Sequence, residues 1–224
     1  VGFNALAAAE NATASGFNAQ AVAANATASG ANALANGEYA TATGAESEAS
    51  GEQSAAYGAA SVASGAGSTA SGVLSEASGE EAVAVGYFST ADGSGATAVG
   101  AESVAIGTTA ASFGFAAEAT AGYSTAIGGY ADASAFNATA LGSFANASGA
   151  NSLALGGDSV ASGAYSTAAG QGSLATGTNS VAVGGTLGGL FATEASGNYS
   201  TAVGGGAWSP GVNSTALGNA AISE

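Results

Sequence analysis

The 224 residues include 38 glycines and one proline, with no cysteine, histidine, methionine, lysine or arginine. Fifteen acidic side chains without a cation give a net charge of -15. Disulfides, thiolate or imidazole metal sites and the usual nucleophile and base pairings are thereby excluded. The charge repels phosphate backbones and anionic surfaces. The chain therefore reads as a non-enzyme, with no catalytic residue, cofactor or metal and no nucleic-acid partner.

No 18-residue apolar run and no basic segment leading into a hydrophobic stretch is present, so no membrane span is expected in this segment. A start at Val1 reads as a mature protein or an excised segment.

From Gly2 to Gly184 every seventh residue is Gly, or Ala at Ala9, Ala23, Ala121 and Ala135. Ala stands two places before each mark, as at Ala84, Ala98, Ala126 and Ala154, with Ser112 the exception. Ser or Ala stands four places before. The unit x-x-[SA]-x-A-x-G is fullest in NSVAVG from Asn179 to Gly184, and returns as NATALG from Asn137, NSLALG from Asn151 and NSTALG from Asn213.

A helical heptad fails, because each interior Gly costs about 1 kcal/mol and no paired apolar seam accompanies it. Alternation of small and variable residues predicts a short strand followed by a tight turn. The columns that share one face are uniformly tiny, so the space they fill is very narrow. The expected fold class is all-β, a flattened parallel β-solenoid.

In chain order, residues 1–37 carry Asn4, Asn11, Asn18, Asn25 and Asn32 at the corners, where tolerance of left-handed backbone suits a tight turn. Their apolar pairs, Leu6/Ala8 and Gln20/Val22, fall on the opposite alternate heptads from those after residue 80. Either the faces exchange or this end is a frayed cap. Between Gly37 and Gly79 the face contrast is weak, with Glu46, Glu48, Glu52 and Glu76 crowding one region.

Beyond Gly79 two faces separate. One, mostly apolar, carries Val83/Val85, Thr97/Val99, Ala111/Phe113, Thr125/Ile127, Thr139/Leu141, Leu153/Leu155, Thr167/Ala169 and Val181/Val183. The other, mostly polar, carries Glu76/Ser78, Thr90/Asp92, Val104/Ile106, Glu118/Thr120, Asp132/Ser134, Asn146/Ser148, Val160/Ser162 and Leu174/Thr176. One coil is then 14 residues in two strands, and about 16 coils stack at about 4.8 Å. An apolar stripe of that extent exceeds what monomers usually expose. The predicted oligomer interface is Val83, Val85, Val99, Phe113, Ile127, Leu141, Leu153, Leu155, Val181, Val183, Val203 and Leu217.

After Gly184 the ruler breaks and resumes at Gly197, Gly204, Gly211 and Gly218. This predicts a loop insertion near 185–194, containing Thr186 to Phe191, within a single repetitive domain spanning 1–224. No helix or Lys follows the glycines of that loop, so a bulged corner is expected there and not a phosphate cradle. Trp208-Ser209-Pro210 reads as a stiff turn.

On these NSVAVG, NSLALG and x-x-S-x-A-x-G heptads the chain resembles the YadA-like head domain of trimeric autotransporter adhesins, over about residues 30 to 220. The resemblance implies a left-handed parallel β-roll, a homotrimer, and a stalk held by an outer-membrane anchor. It also implies an extracellular location on the bacterial cell surface and attachment to host matrix, commonly collagen, or to other cells. The lack of Lys and Arg departs from a matrix-binding head and restricts partners to neutral or cationic surfaces. The competing reading is a structural filament or surface-coat module that mainly self-associates.

Among smaller signals, Glu80-Glu81 with Glu76, and Glu46/Glu48/Glu52, are read as solvated charge in preference to Ca²⁺ ligands, since neighbouring acids on a strand splay apart. Sequons at Asn11, Asn25, Asn137, Asn146, Asn198 and Asn213 arise automatically from Asn corners beside Ser/Thr columns. The Thr residues alternate with Val, Ile and Leu on the assembly face, which argues against an ice-binding array. Phe88, Tyr130 and Phe144 share one corner, Tyr123, Tyr165 and Tyr199 the other. The first three are the partner-binding candidates, and packing of corner against corner is the competing account.

Overall fold

The computed structural model describes residues 2–186 and 188–224. Leu187, part of the expected insertion, lies outside the described residues. Among the described residues every regular element is a strand. Two-residue strands such as Thr90–Ala91 alternate with three-residue strands such as Val83–Val85. Strands pair in parallel with the strand one coil later, as where Val83 faces Thr97, Ala84 faces Ala98 and Val85 faces Val99, while Glu76 faces Thr90. The period is the 14 residues read from the sequence, and the chain is a parallel β-solenoid.

Two compact units divide the chain, Val1–Ala110 and Ala111–Glu224. In the first unit the two-residue strands from Leu6–Ala7 to Val104–Ala105 make a first sheet, and the three-residue strands from Thr13–Ser15 to Thr97–Val99 a second. In the second unit the corresponding sheets run from Glu118–Ala119 to Trp208–Ser209 and from Ala111–Phe113 to Thr215–Leu217. Together they make 15 coils, not 16. The insertion and the terminal residues account for the difference.

The interior is as thin as the small columns require. Ala84, Ala98, Ala126 and Ala154 are fully buried, and the largest fully buried side chains are Thr193 and a file of serines. Such methyls bury little area at about 25 cal/mol per Å², so the backbone ladder carries the fold. Hydrogen bonds such as Gly100 N to Val85 O (2.8 Å) and Val83 N to Ala96 O (2.8 Å) tie successive coils together within a unit.

The ruler glycines are of two kinds. Those after the second sheet, such as Gly86 with φ 136°, hold a backbone closed to L side chains, and a Cβ there would overlap the carbonyl of Gly100. Those after the first sheet, such as Gly93, have no such angle. Ala9, Ala23, Ala121 and Ala135 all fall on the second kind, where only space and not φ resists a methyl.

Asn4, Asn11, Asn18, Asn25 and Asn32 adopt the left-handed corner with φ between 52 and 59°. Leu74, Phe88 and Thr109 take the same angle. Stacking on the coils above and below therefore imposes the corner whatever side chain occupies it.

The N-terminal end is not frayed. Leu6 pairs with Gln20, Gln20 with Leu34 and Leu34 with Glu48 in unbroken register. Leu6 and Leu34 thus lie on the first sheet, while Thr13/Ser15, Thr27/Ser29 and Thr41/Thr43 form the second. The faces exchange character within the first unit.

Near the other end the register steps by 20 residues, Leu174 facing Glu194 and Val181 facing Thr201. The extra residues lie between Val183 and Glu194. The buried Thr193 hydroxyl closes the base of this loop, 2.7 Å from the Gly204 carbonyl and 3.0 Å from that of Gly185. Trp208 and Ser209 are not a turn, as the sequence suggested, but a regular strand paired with Glu194 and Ala195.

Candidate interaction surfaces

Strand alternation turns Ala inward and sends both of its neighbours outward. On the second sheet this builds two outward columns. In the second unit one column runs Phe113, Ile127, Leu141, Leu155, Ala169, Val183, Val203, Leu217, each residue facing the next across the ladder. From Phe113 to Val203 its large members are 36–40% exposed, and Leu217 at the end is 67% exposed. Leu153 and Val181 stand half-buried in the other column, among threonines.

In the first unit Val83, Val85 and Val99 occupy the equivalent places. Earlier coils put Ser15, Ser29, Thr43, Tyr57 and Ser71 in the column that Val85 continues. Within each unit the residues expected at an interface therefore lie on the outward face of the second sheet, and the apolar character is concentrated in the second unit.

The first sheet presents a mixed face. Glu118, Asp132, Asn146, Val160 and Leu174 succeed one another along it, and the Asn146 amide donates to the Asp132 carboxylate at 3.1 Å.

Aromatic rings gather at the corners. Phe88 meets Tyr87 edge-on at 4.9 Å in the first unit. In the second, Tyr130 stacks on Phe144 at 5.0 Å and receives Phe115 edge-on at 5.3 Å. The three partner-binding candidates thus fall into two ribs, one per unit, and the rings remain about half exposed. Sequence reasoning missed Tyr87 and Phe115, although both sit one place after a ruler Gly, beside the corner residues it singled out. On the opposite corner Tyr123 meets Phe136 at 5.5 Å.

Asn ladders join several corners, with Asn11 donating to Asn25 at 3.2 Å and Asn137 to Asn151 at 3.0 Å. No group of three or more His, Cys, Asp or Glu among the described residues is placed to hold a metal ion. No described helix is long and apolar enough to cross a membrane.

The YadA head domain repeat model matches residues 1–19, 21–47, 48–75, 77–103, 133–159, 161–185 and 195–221, most of the chain. The chain belongs to the YadA head family. The unmatched stretches include 104–132, where Ser112 replaces the inward Ala, and 186–194, where the loop interrupts the register. No curated protein matches the chain. Membership makes this a head module of the trimeric autotransporter adhesin type, a structural and adhesive kind and not an enzyme family. YadA heads are surface-exposed parts of adhesins and the family associates as trimers.

Proposed function

We propose that residues 1–224 act as one repetitive adhesin head on a bacterial cell surface, attaching to extracellular matrix or to other cells. Three copies pack the outward faces of their second sheets around a common axis. The observation that carries this reading is the column from Phe113 to Leu217, whose large side chains stay more than a third exposed in a single chain. Contiguous apolar surface of that kind marks an association site. An interior of Ala and Ser leaves stability to be gained from a second core between chains.

Assembly leaves the first sheet and the corners free for partners. Without Lys or Arg they form no salt bridge to an acidic ligand. Attachment then uses hydrogen bonds from Ser, Thr and Asn, contacts from the Phe88, Tyr130 and Phe144 ribs, and attraction to basic groups. Collagen-like matrix, the partner implied by the family, meets these requirements. Each contact is weak, and three chains with many copies supply avidity.

The test is to immobilise the oligomer and compare collagen, a neutral glycan and heparin across a salt series. Binding to collagen or the neutral glycan but not to heparin is expected. Preferential binding to heparin would overturn the charge argument. Binding to none, with end-to-end growth in solution, would favour a self-associating filament.

A further inference from the structure

The insertion does more than bulge. Leu190 and Phe191 in it form one wall of a cleft of about 620 Å³ whose floor comes from the first sheet, where Glu194 faces Trp208 and Trp208 faces Ile222 on successive coils. That volume falls within the usual range for small-ligand pockets, about 300–1,000 Å³. Phe191, Trp208 and Ile222 are 65, 42 and 64% exposed, so the aromatic surface is open to a ligand.

Glu194 is the only charged side chain among the residues lining the cleft, and it stands half-buried there. No Lys or Arg exists anywhere in the chain to neutralise it. These facts exclude most ligand classes in turn. An anion is repelled by Glu194. A polyhydroxylated sugar would find only the Glu194 carboxylate and the Trp208 indole N–H as side-chain hydrogen-bond partners in the lining. A purely apolar ligand would strip water from Glu194 and give nothing back. A cation wrapped in methyl groups satisfies every requirement: the charge meets the carboxylate and the indole face, and the methyls fill the apolar walls.

We propose that this cleft is a binding site for quaternary or alkyl ammonium groups, with Trp208 and Phe191 as the aromatic walls and Glu194 as the counter-ion. It lies on the first sheet, away from the apolar column of the second, and does not depend on the adhesive reading.

Trp208 is the single tryptophan of the chain, so intrinsic tryptophan fluorescence reports on this site alone. The assembled protein is titrated with choline and with the uncharged alcohol in which carbon replaces nitrogen. Choline should shift the emission saturably, with the alcohol at least about tenfold weaker. Glu194→Gln should weaken choline about tenfold and not weaken the alcohol. Equal affinity for the two probes, no response to either, or a choline response indifferent to Glu194→Gln would overturn the proposal. So would protection of Trp208 from acrylamide quenching in the native assembly, which would mean that another copy of the chain covers the cleft. Light scattering and collagen binding on the same samples keep failure here separate from failure of the adhesin reading.

Discussion

The serines of the interior show how one sequence column acquires two chemistries. Ser61, Ser75 and Ser89 lie before first-sheet strands, and their hydroxyls donate to the carbonyls of Gly58, Gly72 and Gly86 at 2.9, 2.9 and 3.0 Å. Ser54, Ser68, Ser152 and Ser166 lie before second-sheet strands and are buried without a partner, although Ser124 and Ser214 find one there. The glycine three residues earlier has a positive φ in the first group, whereas Gly51 and Gly65 lack that angle, and Ser214 reaches Gly211 without it. Ser75→Ala should therefore destabilise by about 1 kcal/mol, while Ser68→Ala is neutral or stabilising. Paired denaturant titrations will show the difference, and equal losses would contradict it. The corner holds a second test. Thr109 is β-branched at φ 52°, so Thr109→Asn should raise stability by about 1 kcal/mol. A lower midpoint would show that its methyl packing outweighs the backbone cost.

At the scale of the strand, inward and outward positions differ sharply in tolerance. Ala154 is fully buried between Ala140 and Ala168 in the ladder, with no room above or below. Ala154→Leu should overpack the coil and cost about 1 to 3 kcal/mol or more. Glu118 is exposed on a first-sheet strand, and Glu118→Gln should change the unfolding midpoint little. Equal tolerance at the two positions would mean that the strand faces are inverted. The loop has its own anchor in Thr193, whose hydroxyl lies within reach of two backbone carbonyls. Thr193→Val keeps the shape and removes the donor. Faster hydrogen exchange at Leu190 and Phe191, with the ladder amides unchanged, is the expected result.

Across the whole chain, charge and apolar surface are distributed unequally. The first unit carries Glu10, Glu38, Glu46, Glu48, Glu52, Glu76, Glu80, Glu81, Asp92 and Glu102, while the second holds Glu118, Asp132, Asp158, Glu194 and Glu224. The second unit also carries the long apolar column. Association should accordingly be driven by the second unit, and Val183→Asp, placing a charge in the seam, should cost several kcal/mol of assembly energy. Light scattering will measure the oligomeric mass, and retention of the native mass would remove that face from the interface. The earliest coils of the first unit carry threonine and serine on the matching face, so Thr41→Asp should leave the mass unchanged. Since charges of one sign repel, salt should tighten association, with screening over about 8 Å at physiological ionic strength.

Local chemistry alone determined the period, the inward Ala column and the two-strand coil, because a seven-residue ruler repeated along most of the chain admits no other register. It also determined which large residues share a face: Ile127, Leu141, Leu155 and Val183 are related by whole coils, and stacking merely aligns them. Three features depended on contacts between coils. Leu6 and Leu34 keep an ordinary register at the N-terminal end because their strands pair with the next coil regardless of side-chain pattern. Leu74 and Thr109 take a corner angle that their own preferences oppose, because hydrogen bonds to neighbouring coils outweigh that preference. The cleft exists only because the loop after Val183 lies beside Trp208 and Ile222, residues of later coils. A periodic sequence specifies the coil from within. What an interruption places beside it depends on which coils the backbone then stacks, and that is a tertiary fact.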